Sequence, residues 1–118
     1  MQKNSLNKVI LIGRLGSKPE GRYTQQGKAT VQFSLATNEA WKNQQGKQVE
    51  HTEWHSLVAW DKLAEFCTEY LNKGQLISVE GTLRTRKWTD KEETKIFKIT
   101  EVLCNNITIL DGLSSNKG

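Results

Sequence analysis

Apolar and polar residues alternate along much of this chain, most cleanly from Ala29 to Ala36. Ala29, Val31, Phe33 and Leu35 fall on one side there, and Thr30, Gln32 and Ser34 on the other. Successive side chains of a strand point to opposite faces, so this segment predicts a half-buried β-strand. An earlier strand is predicted from about Asn7 to Leu15, where Val9, Leu11 and Leu15 oppose Ile10 and Ile12 and both faces are apolar. Lys18, Pro19 and Gly21 then break the pattern. A polar loop with Asn43, Gln44, Gln45 and Gly46, with Trp41 and Lys42 at its base, leads to a third strand over roughly Glu50 to Trp60. Between Asp61 and Asn72 the period becomes helical, because Leu63, Phe66, Cys67, Tyr70 and Leu71 recur at one-turn spacing. Asp61 suits the start of that helix and Gly74 its end. Leu76 to Leu83 reads as a fourth strand that continues toward Trp88 and turns at Asp90 to Glu93. A returning arm follows over Thr94 to Val102, and Ile107 to Leu110 is the last strand.

Three strands, one helix and further strands, with no βαβ alternation, predict an all-β class with one helix. The architecture that matches is a five-stranded OB-fold barrel (the oligonucleotide-binding fold) with extended β-hairpin arms and the helix between strands three and four. At 118 residues and 13.4 kDa the chain has the size of one domain, expected over residues 1–111. Residues 112–118, small and polar, are expected to form a short disordered end.

The net charge of +4 and pI near 9.1 favour a polyanionic partner without deciding the matter, since seventeen basic residues face thirteen acidic ones. Cys67 and Cys104 have neither zinc-site spacing nor the density of a disulfide framework, which points to buried, reduced thiols. Met1 to Lys8 lacks a secretory apolar region, and the longest aliphatic run, Val9 to Ile12, is too short to cross a bilayer. No membrane association is expected, and a soluble intracellular protein is predicted, cytoplasmic and nucleoid-associated or in an organelle.

The four tryptophans stand near cations or polar residues: Trp41 before Lys42, Trp54 before His55, Trp60 two residues from Lys62, and Trp88 after Arg84, Thr85, Arg86 and Lys87. Bases stack on such rings and phosphates seek such charges, so the interleaving suits sequence-tolerant binding of single-stranded nucleic acid. On the third strand Thr52, Trp54, Ser56, Val58 and Trp60 share one face, while Leu57 and Ala59 opposite can fill a barrel. The competing reading buries both indoles in the core, since aromatics favour strands in any case. Arg84, Arg86 and Trp88 share another parity, with Lys87 opposite; the bland reading there is a solvated hairpin arm. The same rings would serve an RNA-binding barrel of cold-shock type, or form hot spots for a protein partner.

Enzymatic readings are weaker. His51, Glu53 and His55 on one strand face could ligate zinc, but they lack the helical HExxH spacing and no further ligand cluster accompanies them. Gly21 to Lys28 has the wrong glycine spacing for a phosphate loop, and Ala29 stands where a serine or threonine would hold magnesium; a hairpin turn is expected. Asn106, Ile107 and Thr108 match a glycosylation acceptor that carries no meaning without a secretory signal. No catalytic residues, metal or cofactor are therefore assigned.

From Leu6 to Leu110 the sequence resembles the bacterial and mitochondrial type of single-stranded DNA-binding protein. The resemblance rests on Leu6-Asn7-Lys8-Val9 with Gly13 and Gly16, on Ser34-Leu35-Ala36-Thr37-Asn38 running to Trp41, and on Thr52-Glu53-Trp54-His55. Lys62-Leu63-Ala64-Glu65 with Tyr70-Leu71 and Lys73-Gly74 continues it, as does Glu80-Gly81 leading to Leu83-Arg84-Thr85-Arg86-Lys87-Trp88. It implies a homotetramer of such barrels that wraps single-stranded DNA without sequence preference and serves DNA replication, recombination and repair. It further implies that Trp41, Trp54, Trp60 and Trp88 stack bases and that His55 lies at a subunit interface. The accompanying phosphate contacts are expected at Lys42, Lys62, Lys73, Arg84, Arg86 and Lys87. Trp60 stands where phenylalanine is common, which keeps or strengthens stacking. Ser78 replaces an interface tyrosine, so the subunit contacts are expected to differ there. The family's flexible linker and acidic, phenylalanine-ended tip have no counterpart in these residues, so tail-mediated protein partners are not expected of this chain.

Overall fold

The computed structural model describes residues 2–111, and the end predicted to be disordered, 112–118, lies outside them. The described elements follow in the order β1 (Val9–Leu15), β2 (Glu20–Tyr23), β3 (Ala29–Lys42), β4 (Gln48–Trp60), α1 (Asp61–Tyr70), β5 (Leu76–Thr89) and β6 (Ile96–Ile109). They form one sheet in the order β1-β5-β6-β4-β3-β2, and an additional β1–β3 pairing closes it. The five strands β1, β3, β4, β5 and β6 thus make the barrel, antiparallel at every seam except β4–β6. Because β2 stands outside this ring, the helix between β4 and β5 is the one expected between barrel strands three and four.

Alternation decides what the barrel encloses. Val31, Phe33 and Leu35 of β3, Leu57 and Ala59 of β4, Ile77 and Val79 of β5, and Val102, Cys104 and Ile107 of β6 are all buried. Ala64, Cys67 and Leu71, from α1 and the residue after it, join the same cluster. Burial pushes both thiols up to about 12, and no charged partner draws them down. Beyond the barrel, β3–β4 and β5–β6 continue as exposed hairpin arms.

Several boundaries differ from the sequence reading. Gly21 to Lys28 is not simply a turn: Glu20–Tyr23 pairs with β3 as an edge strand, and the tight turn is confined to Thr24–Lys28. Every β2 residue is exposed, so no burial alternation marks it. The returning arm and the last strand are one continuous β6. Asn105 is an extra residue at the Glu80/Gly81 irregularity, which lets Cys104 and Ile107, three apart, both face inward. Asp61 does not cap the helix. Trp60 occupies the N-cap position without a side-chain bond, and Asp61 is the first helical residue, with φ of 59°. The helix stops at Tyr70, where extended Leu71 donates its N–H to the Cys67 carbonyl; Gly74 shapes the following turn.

Closure is tight where β1 leaves β5 for β3. A Cβ on Gly13 would lie 2.2 Å from the carbonyl oxygen of Ala36. Neither backbone can yield there, because Arg14 already pairs with Ala36 and Leu15 with Leu35. Gly13→Ala is therefore expected to destabilise the fold by at least about 1–3 kcal/mol, as overpacking does. A urea denaturation midpoint equal to that of the parent would contradict it.

Candidate functional site

The β3–β4 register runs unbroken from Thr30–Trp60 to Lys42–Gln48, so faces can be followed by parity along the whole ribbon. Thr30, Gln32 and Ser34 share the outer face with Trp60, Val58, Ser56 and Trp54. Across the parallel seam this face continues onto Leu103, Glu101, Ile99 and Phe97 of β6, and then onto Arg84, Arg86 and Trp88 of β5. Trp54, Trp60 and Trp88 retain 57%, 38% and 46% of their surface, which settles the choice between core and surface in favour of surface. Trp41 is also exposed, but it pairs with Val49 on the opposite face of the ribbon, the face of Glu39 and His51.

Neighbours orient each ring. Trp54 lies against backbone: a Cβ on Gly16 would come 2.7 Å from its Cζ3, so only glycine admits the indole there. Trp88 is stacked on Phe97, with centroids 5.7 Å apart and planes 19° from parallel, and the Arg86 guanidinium sits 5.6 Å from the Trp88 ring centre. The Lys28 ammonium stands 5.5 Å from the Trp60 ring centre. Lys28 and Phe97 escaped the sequence reading, although a cation two residues ahead of Thr30, on its parity, was a usable signal once Thr30 was known to oppose Trp60.

A groove on this face passes Trp60, while Trp54 and Trp88 stand outside the hollows that form it. One hollow of about 450 Å³ is bounded by Thr30, Gln32, Val58, Trp60, Arg84 and Arg86, and it adjoins another of about 270 Å³ reaching Ser17, Ser34 and Ser56. A third, of about 410 Å³, continues across Gln32 and Thr30 to Glu20 and Arg22 on β2. Val58, on the outer parity, is nevertheless buried at the floor of this groove. Beside it lies Glu101, a carboxylate only 4% exposed, whose Oε2 accepts a 2.7 Å hydrogen bond from Arg86 Nε. That bond raises the Arg86 pKa above the ordinary arginine value. Arg86 therefore reaches the groove with part of its charge already engaged, whereas Arg84, Lys42, Lys62, Lys73 and Lys87 have no ion-pair partner among the described residues.

The remaining candidates are scattered. Lys87 lies on the parity opposite Arg86, Lys42 ends β3, Lys62 is in the first turn of α1, and Lys73 occupies the turn before β5; none of them lines these hollows. The histidine and carboxylate trio does not converge. His51 Nε2 meets Glu53 Oε1 at 3.0 Å, which lowers the Glu53 pKa, while His55 Nε2 faces Thr37 Oγ1 at 2.9 Å. Among the described residues no three such groups stand where they could hold a metal ion. His55 is half-buried, and Ser78 pairs with Ile12 on β1, away from the groove.

Residues 6–110 match the family described as "Single-strand binding protein family". The chain is 45% identical over 113 residues to single-stranded DNA-binding protein 1 of Chlorobaculum tepidum, covering 96% of this chain and 70% of that protein. It is 44% identical over 114 residues to the single-stranded DNA-binding protein of Neisseria meningitidis serogroup A, covering 97% and 65% respectively, so it spans about two thirds of these relatives. The fold superposes with a TM-score of 0.80 on a chain of the Plasmodium falciparum SSB complex with ssDNA, at 35% identity, covering 94% of this chain and all of that one. A deletion mutant of the single-stranded DNA binding protein from Thermus aquaticus gives 0.76 at 36% identity, covering 91% of this chain and 51% of that one.

The Arg86–Glu101 pair separates two effects that a binding assay alone would merge. Arg86→Ala leaves a buried carboxylate without its partner, and a loss of about 1–3 kcal/mol in unfolding free energy is expected. Adding Glu101→Gln should return much of that loss. Denaturation midpoints unchanged by the single substitution would show that the pair contributes nothing to stability.

Proposed function

This chain belongs to the single-strand binding protein family, and from that membership we propose that it binds single-stranded DNA without sequence preference and protects it during DNA replication, recombination and repair. One observation carries the reading. Trp54, Trp60 and Trp88 lie exposed on one outer sheet face, where Trp60 borders a groove together with Arg84 and Arg86. A base offers a flat π face whatever its identity, so rings presented in this way bind nucleotides with little regard to sequence. Extruded bases stack on those indoles, with Phe97 backing Trp88. Arg84 and Arg86 meet phosphates beside the groove, and Lys42, Lys62, Lys73 and Lys87 meet them where the strand leaves it. Trp41 faces the other side of the β3–β4 ribbon, so a strand that stacks on it as well as on Trp54 wraps around the arm. Binding and release involve no covalent change, and the protein acts without catalysis or cofactor.

The same reading includes a homotetramer. Ile10 and Ile12 of β1 keep 61% and 57% of their surface and face outward beside Glu80 and Ser78, which leaves an apolar strip that another copy covers. Ser78 lies within that strip, and His55 contributes to a subunit contact. Among the described residues no helix is long and apolar enough to cross a membrane, and the reading places the protein with DNA in the cytoplasm or an organelle.

Titration of tryptophan fluorescence with oligo(dT), oligo(dC) and oligo(dA) over a salt series tests this. Trp54→Ala should weaken binding to all three by about 1–3 kcal/mol with the salt slope unchanged. A loss confined to one base would contradict stacking without readout. Arg84→Ala should instead make the slope shallower by about 0.7, the increment for one phosphate on a single strand. Failure of oligo(dT) to quench the parent protein would reject single-strand binding altogether, and an equal or tighter RNA oligomer would reassign the ligand.

A further inference from the structure

Gly16 accounts for the placement of Trp54, and Phe97 with Arg86 for that of Trp88, which leaves unexplained the cation placed against Trp60. The turn Thr24–Lys28 holds that cation in position. Thr24 N–H donates to the Lys28 carbonyl, Lys28 N–H donates to Thr24 Oγ1 at 3.1 Å, and Gly27 takes φ of 84° between them. Lys28 lies two residues before Thr30, on the same parity, and Thr30 opposes Trp60, so the ammonium arrives diagonally at the indole, 5.5 Å from its centre. The negative face of an indole attracts an ammonium there. Trp60 borders the groove and Lys28 does not, so the charge meets the ring from outside it.

Its second partner is Asp61 Oδ2, 3.9 Å away, with both side chains more than half exposed. Asp61 is brought there by a left-handed backbone at the junction of β4 and α1, a conformation that aspartate and asparagine tolerate better than most residues. An exposed ion pair of that length holds its cation weakly. The ammonium is thus kept beside a stacking ring by attractions that a phosphate oxygen can replace. Lys28 does not belong to the cation set read from the sequence.

We propose that Lys28 is a further nucleotide-binding residue: in the free protein it is shared between the Trp60 ring and Asp61, and it transfers to the phosphate of the nucleotide stacked on Trp60 when DNA binds. This rests on the single-strand binding reading above. Asp61 then acts as a competing anion that lowers affinity.

A double-mutant cycle read by fluorescence titration with oligo(dT) across a salt series tests the assignment. Lys28→Ala should bind severalfold more weakly, with a slope shallower by about 0.7, and Lys28→Arg should restore that slope. Asp61→Asn, which suits the same backbone, should bind severalfold more tightly at low salt, and this gain should vanish in the Lys28→Ala background. An unchanged slope for Lys28→Ala in a protein that otherwise quenches with oligo(dT) overturns the inference alone. So does an Asp61→Asn gain of equal size with and without Lys28, because Asp61 would then repel DNA directly. A parent protein that does not quench at all overturns the binding reading, and the role of Lys28 with it.

Discussion

The contact between β1 and β3 governs this molecule. Only where β1 passes from β5 to β3, with Gly13 against the Ala36 carbonyl, does a six-stranded sheet become a closed barrel. Closure gives the sheet one interior, and each strand can serve that interior with only one parity of its residues. Leu35, Leu57, Val79 and Val102 take it, and the alternate residues are turned outward whatever their chemistry. Indoles that would ordinarily help to fill a core are held at the surface because smaller aliphatic neighbours already occupy the inside. The exposed aromatic face is a consequence of closure and parity together.

Electrostatics then differentiates cations that look alike in the sequence. Arg86 is bonded to a buried carboxylate and lies over Trp88, so it stabilises the sheet and orients a ring while still bordering the groove. Arg84, its neighbour on the same parity, has no such partner among the described residues and presents its full charge. A fixed guanidinium loses little freedom when a phosphate arrives, whereas an unengaged one responds more strongly to salt. Of the six cations read from the sequence, Arg84 and Arg86 border the groove, whereas Lys42, Lys62, Lys73 and Lys87 lie on other parts of the surface, so a net charge of +4 does not by itself mark where the positive potential falls.

Legibility varied with how strongly each segment is buried on one side. The first half of β3 and the first half of β5 alternate against the core and were readable at once; β4 was readable too, although Leu57, Val58 and Ala59 are buried in succession. The helix was readable as well, although its apolar stripe overstated Tyr70, which is exposed and lies against Phe66, while Ala64 is the more deeply buried. β2 was missed because all of it is solvent-facing and it is held by hydrogen bonds to β3 rather than by burial. β6 was divided because an inserted Asn105 shifts the inward parity midway, which a fixed period reads as two segments. Asp61 was misplaced as a cap because its residue type suits one; the sharp passage from β4 into α1 instead uses its tolerance for positive φ.

The sequence by itself determined the class of fold, the presence of rings beside charges and a family resemblance spanning most of the chain, because these are properties of local period, residue type and their order. It could not say whether Trp54 and Trp60 faced in or out, since parity defines two faces without naming which one is covered. Nor could it separate Trp41 from the other indoles, pair Arg86 with Glu101, stack Phe97 on Trp88 or bring Lys28 to Trp60. Those outcomes depend on the register between strands far apart in the chain and on the closure that selects the inside. Only the tertiary structure sets these, because long-range pairing is determined by the packing of all the strands at once rather than by the residues of any one of them.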